Sequence, residues 1–285
     1  MQLECIERID ESSPLYPSAW SELSDAPKTL YALGDTSLLT TRIFAVVGSR
    51  RISPTIAKTG EKIAKDLSYA FTVATGTADG GDASAIEGAL SGSGKVICLL
   101  AGGFSALPQG TLALLERVAK RGLILSPHPY QAPVRNYSYE YRNKLLACLS
   151  EGVLVLSAGH KSGALITANY AKRFEKPVFA IPYPPLSASG EGCNALIKDG
   201  AHLTESAQDV FDRFDITVRS DLSSAPTLTA DEQTLYAVLL SRGESHVTDL
   251  VSLTPFPLFR LRSLLSALEV KGVVVSVGGN RFAPV

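Results

Sequence analysis

Three short stretches place small residues, hydroxyls and cations directly behind apolar runs. In "VVGSRRISP", Gly48, Ser49 and Arg50 follow a run of buried type, and Ser53-Pro54 has the form of an N-cap with proline at the first helical position. In "VLVLSAGHKSGALITANYA", Lys161, Ser162 and Gly163 stand where an apolar run gives way to helical periodicity. Backbone N–H groups, a hydroxyl and a cation in one corner suit a phosphate, and a helix dipole favours an anion at its N-terminus. For the first corner an ordinary tight turn with a surface arginine is the other reading. A third stretch, "ATGTADGGDASA", carries Gly76, Gly80, Gly81 and Asp82. Turn chemistry accounts for these glycines, and capping of the next helix accounts for Asp82 more readily than ligand contact does.

A fourth stretch adds rings to the cations. In "YSYEYRNKLLACLS", Tyr137, Tyr139 and Tyr141 alternate with polar residues ahead of Arg142, Asn143 and Lys144. An unpaired nucleic-acid strand needs this combination, because bases stack on rings while phosphates meet charge. The competing expectation is that at least one tyrosine anchors its loop in the core. Tyr139 is the candidate platform.

Several chemistries are excluded by spacing. The Lys161-Ser162-Gly163 corner is not G-x-x-x-x-G-K-[ST], and G-x-G-x-x-G occurs at no strand end, so neither common nucleotide fingerprint is complete. His128, His160, His202 and His246 form no HExxH pair, and no G-x-S-x-G elbow occurs. No catalytic constellation, metal site or cofactor is therefore expected, and the chain reads as a binding protein rather than an enzyme. Cys5, Cys98, Cys148 and Cys193 are widely separated, as expected of reduced thiols in a cytoplasmic protein. No apolar stretch reaches membrane-spanning length and none has the form of a signal peptide. Net charge is -1, yet residues 42–225 carry twenty basic and sixteen acidic side chains, so a polyanion would be met there.

The elements that must position these residues follow from residue 42 onward. Short apolar runs at 42–48, 71–76, 95–103, 122–126, 153–158 and 177–182 alternate with segments of helical period. That alternation predicts an α/β fold, a Rossmann-like doubly wound and mostly parallel sheet, whose ligands sit beyond the carboxyl ends of the strands. Residues 1–41 are expected to form an N-terminal extension packed on this domain of residues 42–214, and 215–229 has a linker's composition. Helices near 230–241, 246–253 and 257–271, followed by a Gly-Gly hairpin, suit a small winged-helix domain over 230–285. In its third helix Leu258, Leu261, Leu264, Leu265 and Leu268 form one apolar stripe, and Arg260 and Arg262 stand beside it. Residues 226–285 carry five basic and five acidic side chains, so the basic face of a groove reader is missing.

Taken in order, these motifs resemble the DNA-processing protein A family (DprA, also called Smf). "VVGSRRIS" is similar to its glycine-serine-arginine motif, "TGTADGGDASAIEGAL" to its S-G-x-A-x-G-x-D-x-x-A-H-x-x-A-L, "YRNKLLACLS" to its R-N-R-I-I-A-G-L-S, and "KSGALITA" to its K-S-G-S-L-I-T-A. "VFAIP" and "GCNALIKDGA" resemble two further blocks in the right order. The resemblance implies a single-stranded DNA-binding recombination mediator that helps load RecA during natural transformation, acting as a homodimer in the cytoplasm with no membrane partner. It places Gly48, Ser49, Arg50, Lys144, Lys161, Ser162 and Gly163 in a phosphate-binding pocket with Tyr139 as the base platform. Binding of this kind should fall steeply with salt and show weak sequence preference.

The chain departs from the family pattern at Ile86 for a histidine, Ser157 for a glutamate, Ser126-Pro127-His128-Pro129 for S-E-x-P, and Tyr183 for a glycine. "LLAGGFSALP" is also one residue short of G-x-G-x-D-x-x-Y-P. The rival reading is a nucleotide sensor or a nucleotide hydrolase of the lysine-decarboxylase-like Rossmann group. That group's P-G-G-x-G-T order is absent from "AGGFSALPQGT".

Overall fold

The computed structural model describes residues 5–218 and 227–285. Residues 219–226, the middle of the stretch read as a linker, and residues 1–4 of the opening segment lie outside the described residues. The chain divides into two compact units, a large one around a nine-stranded sheet and a small one around a three-stranded sheet, the small one made of the C-terminal residues together with Ser53–Thr59.

The large unit opens with β1 (Glu7–Asp10) and β2 (Thr29–Gly34), and then alternates strand and helix. These elements are β3 (Ile43–Val47), α1 (Pro54–Leu67), β4 (Thr72–Thr75), α2 (Gly81–Ser91), β5 (Val96–Leu99), α3 (Leu112–Arg121) and β6 (Leu123–Ser126). There follow α4 (Asn136–Leu149), β7 (Val153–Val155), α5 (Gly163–Arg173), β8 (Val178–Ala180), α6 (Glu191–Lys198), β9 (His202–Leu203) and α7 (Ala207–Arg213). The sheet order is β1-β2-β6-β5-β4-β3-β7-β8-β9. Neighbours from β6 to β9 are parallel, whereas β2 pairs antiparallel with both β1 and β6. All six apolar runs are strands of the parallel set, as the alternation required.

The opening segment does more than pack on the sheet, since β1 and β2 extend its edge. Ile9 and Leu30 are buried opposite each other in the register, so the pair turns apolar side chains onto the core. The 3-10 turn Ser18–Trp20 then lays Trp20 against α4, where its indole Nε1 donates to the Leu145 carbonyl at 2.9 Å.

Every residue of β3 is buried, as a central strand covered on both faces requires. Ile43, Ala45 and Val47 share a core with Leu145 and Leu146 of α4 and with Ala164, Ala168 and Ala171 of α5. Phe44 points the other way into a cluster with Phe71 and Phe179, at ring separations of 5.3 and 5.6 Å. The order reverses at β3: the chain runs outward through β4, β5 and β6 on one side and through β7, β8 and β9 on the other. That reversal opens a crevice between the loops after β3 and β7.

The small unit holds α8 (Ala230–Arg242), β10 (Ser245–His246), α9 (Val247–Leu253), α10 (Leu258–Val270), β11 (Val274–Gly278) and β12 (Arg281–Pro284), with sheet order β10-β12-β11. A capping box starts α8: the Thr229 hydroxyl accepts from Glu232 N–H, and the Glu232 carboxylate accepts from Thr229 N–H. Leu261, Leu264, Leu265 and Leu268 of α10 are buried in one cluster. Leu258 is half exposed and drops out of the expected stripe, because it is the first residue of the helix. Arg260 pairs with Asp231 at 2.8 Å rather than standing free.

Candidate nucleic-acid interface

The crevice at the reversal point is a cleft of about 600 Å³, built entirely from the large unit. Gly48, Ser49, Arg50 and Arg51 enter it from the end of β3, Gly76 and Asp82 from the loop after β4, and His160 to Gly163 from the loop after β7. The N-terminal part of α4 supplies Tyr139, Arg142 and Asn143.

Small residues allow these loops to meet. A Cβ on Gly48 would lie 3.0 Å from the Gly81 Cα, and one on Gly81 would overlap the Gly48 backbone. The two loops therefore touch through bare backbone, and Gly81 N–H donates to the Ser49 carbonyl at 3.0 Å. Ser49 ties the first loop to the third. Its N–H and its hydroxyl both donate to the Ser157 carbonyl, at 2.8 and 3.1 Å, and its hydroxyl lies 3.2 Å from that of Ser162. Ser162 caps α5 by accepting from Ala164 N–H at 3.3 Å. Leu165 N–H donates to the Ser162 carbonyl at 3.1 Å, and Gly163 and Ala164 line the cleft at the start of α5, where a helix dipole favours an anion.

The floor of the cleft is a buried charge pair. Arg142 is buried, donating through Nη1 to the Leu99 carbonyl at 3.0 Å and through Nε to Asn143 Oδ1 at 2.9 Å. Asp82 faces it, and a Cβ on Gly76 would overlap both the guanidinium and the carboxylate. Burial pushes the Asp82 carboxyl above its ordinary range, against the opposing pull of Arg142 and of hydrogen bonds such as that from Ala78 N–H at 3.2 Å. Burial likewise lowers the Arg142 guanidinium, with Asp82 acting in the opposite sense. Asn143 completes the floor, since its Nδ2 donates to the Gly163 carbonyl at 3.2 Å and so fixes α4 to the start of α5. Asp82 thus lies buried beside Arg142 and is no solvent-facing acid.

The rim is cationic. Arg50, Arg51 and Lys161 are exposed, and among the described residues none of them is ion-paired. The Arg50 guanidinium lies over the Tyr139 ring at 5.3 Å from its centroid. Tyr139 and Arg142 are three residues apart on α4 and so share one helix face.

Nine of the ten residues named from the sequence line this cleft, and Lys144 does not. Two residues beyond Arg142, it turns about 200° around the helix and pairs with Asp25 at 2.5 Å. Tyr141 also leaves the site: its hydroxyl donates to the Asp25 carbonyl at 2.7 Å, and burial pushes it up to about 12. Tyr137 stays exposed outside the cleft. Sequence reasoning passed over Arg51 and Thr167, which line the cleft and stand within the quoted stretches "VVGSRRIS" and "KSGALITA". Among the described residues no group of three or more His, Cys, Asp or Glu side chains is placed to hold a metal ion.

The chain is 36% identical over 202 residues to DNA processing protein DprA of Streptococcus pneumoniae strain R6, covering 70% of this chain and 71% of that one. It is 32% identical to DNA processing protein DprA of Bacillus subtilis strain 168, covering 73% and 71%. The solved Streptococcus pneumoniae DNA processing protein A superposes with a TM-score of 0.71 at 33% identity, over 75% of this chain and 76% of that one. A Helicobacter pylori structure is described as "Structural insights into the unique single-stranded DNA binding mode of DNA processing protein A from Helicobacter pylori". It superposes with a TM-score of 0.67 at 30% identity, over 74% of this chain and 95% of that one. Residues 7–215 match the family described as DNA recombination-mediator protein A, and with that span and these relatives the chain belongs to this family.

Proposed function

We propose that this chain binds single-stranded DNA in the reversal-point cleft, with phosphates on Arg50, Lys161 and the N-terminus of α5 and a base stacked on Tyr139. The observation that carries this reading is the rim itself: three cations with no ion pair among the described residues, and a half-exposed ring, stand over a floor whose one carboxylate is buried beside Arg142. A single strand brings repeating phosphates and free base faces, so several modest anion contacts and one platform suffice. The neighbouring Helicobacter pylori protein, which is described as binding single-stranded DNA, supports the same reading. The motif resemblance supports delivery of that strand to RecA by a homodimer during natural transformation. The C-terminal unit is read as a winged helix on its three helices and its β10-β12-β11 sheet, with the domain boundary in 215–229.

The test is fluorescence anisotropy of a labelled oligothymidylate over a salt series. Arg50→Ala and Lys161→Ala are each expected to weaken binding about tenfold, the worth of one hydrogen bond to a charged group. Each should also flatten the plot of log affinity against log salt by about 0.7, the value of one phosphate contact on a single strand. Unchanged affinity in both variants would move the strand elsewhere, and no binding at low salt by the folded protein would favour the free-nucleotide reading. Tyr139→Ala should lose about 1–3 kcal/mol of binding at every salt concentration while Tyr139→Phe retains it, because stacking needs the ring and not the hydroxyl. Equal losses in the two variants would sink the platform assignment.

A further inference from the structure

A second, smaller cleft of about 170 Å³ adjoins the first, and the two share Arg50, Ala78, Tyr139 and Arg142. The Arg50–Tyr139 pair is thus the divider between them. The second cleft lies beyond the carboxyl end of β5, where buried Leu100 and Ala101 form its floor. Ala106 and Pro108 line one side and Val134 the other. Both walls are pinned. The Thr111 hydroxyl donates to the Thr77 carbonyl at 3.0 Å on the first side, and on the second Gly103 and Ser105 N–H donate to the Ala132 and Tyr130 carbonyls, each at 2.9 Å.

The volume falls below the roughly 300 Å³ at which small-molecule pockets begin, so the space suits one planar ring system without its sugar. Apolar walls on either side suit the faces of such a ring. One group contradicts a phosphate: Asp79 stands at the mouth, its Oδ1 3.0 Å from where a Cβ on Gly110 would lie. Among the described residues its carboxylate has no ion pair and no hydrogen bond. An unpaired carboxylate repels a phosphate and accepts from N–H donors on a base edge.

Resting on the reading of the first cleft as a single-strand site, we infer that the second cleft is a socket for one guanine of the bound strand, turned past the Arg50–Tyr139 divider, with the Asp79 carboxylate accepting from its N1–H and N2–H. Guanine is the base whose Watson–Crick edge offers two adjacent donors to one carboxylate. Adenine, cytosine and thymine each offer a single donor group there. In an unpaired strand the base is already free of its partner, so turning it outward costs little beyond unstacking. Backbone binding stays tolerant of sequence, and one position of the register is read.

The experiment compares a 15-nucleotide oligothymidylate with the same strand carrying one central dG, and with one carrying deoxyinosine, which keeps N1–H and lacks the N2 amine. For the wild-type protein the dG strand is expected to bind at least about fivefold more tightly than all-dT, the lower end of what a two-bond base contact discriminates, with deoxyinosine between them. In Asp79→Asn the ratio of dG to dT affinity should fall to about one, because the amide replaces one of the two accepting oxygens with a donor NH2 that opposes a guanine N–H. Asp79 is exposed, so folding is not at issue, and Ala106→Trp provides a second variant that fills the socket and should also abolish the ratio. Equal affinity of the wild type for dG and dT strands would overturn the socket while leaving strand binding intact. A ratio that survives both variants would also overturn it, and failure to bind any strand would overturn the strand reading together with the socket.

Discussion

Arg142→Leu is expected to lower the unfolding free energy by about 3–5 kcal/mol, the usual consequence of removing one partner from a buried charge pair. The leucine leaves Asp82 buried with no opposite charge, and it abandons the Leu99 carbonyl and Asn143 Oδ1 that the guanidinium satisfied. The effect carries a pH signature. Burial already holds the Asp82 carboxyl above its ordinary 3.8, and loss of Arg142 removes the largest influence pulling it down. In the variant the folded state therefore takes up a proton at higher pH than the unfolded chain does. Folded protein then binds more protons than unfolded, and stability rises as pH falls. The deficit against wild type should be largest at neutral pH and narrow as pH falls toward 3.8. Urea unfolding at several pH values measures it, and a deficit that stays constant with pH would mean that Asp82 is not the stranded charge.

Trp20→Ala should cost about 3–5 kcal/mol, as truncation of a fully buried large aromatic does, and should weaken strand binding as well. Trp20 is completely buried and donates to the Leu145 carbonyl, and its ring meets Tyr16 edge-on at 6.2 Å. The segment around it grips the outer side of α4 at further points: the Asp25 carbonyl accepts from Tyr141, the Asp25 carboxylate from Lys144, and the Ala19 carbonyl from the Cys148 thiol. The inner side of that helix carries Tyr139, Arg142 and Asn143. Loosening the grip therefore acts on the site through the helix that presents it. Trp20→Phe keeps most of the apolar volume and loses only the indole bond to the Leu145 carbonyl, which keeps its partner within α4, so about 0.5–1.5 kcal/mol is expected for that alone. Calorimetry and strand titration on both variants separate the two contributions. Unaltered strand affinity in a destabilised Trp20→Ala protein would show that α4 holds its geometry without the opening segment.

Lys144 shows where reading along the chain reaches its limit. Beside Arg142 and Asn143 in sequence it looks like a third member of the same cationic group. Helical geometry separates them, because neighbours two apart on a helix face opposite ways, and Asp25 neutralises it from 119 residues away. Arg142 also differs from its appearance: a cation beside tyrosines reads as a surface contact, yet it lies under the site as a buried partner of Asp82.

Local pattern along the chain was enough for six of the seven strands of the parallel set, the loops at three of their carboxyl ends, the cap at Ser162 and the α10 stripe from Leu261 to Leu268. These rest on local periodicity and turn chemistry, which act within a few residues and leave their mark on the chain in order. Folding in three dimensions settled that β1, β2 and β9 join the sheet, that Asp82 lies buried beside Arg142, that Lys144 faces Asp25, and that residues 77–79, 100–102 and Val134 help to enclose a second cleft. Each of those depends on groups far apart in sequence meeting at short range, where burial and charge set the outcome and no local pattern records it.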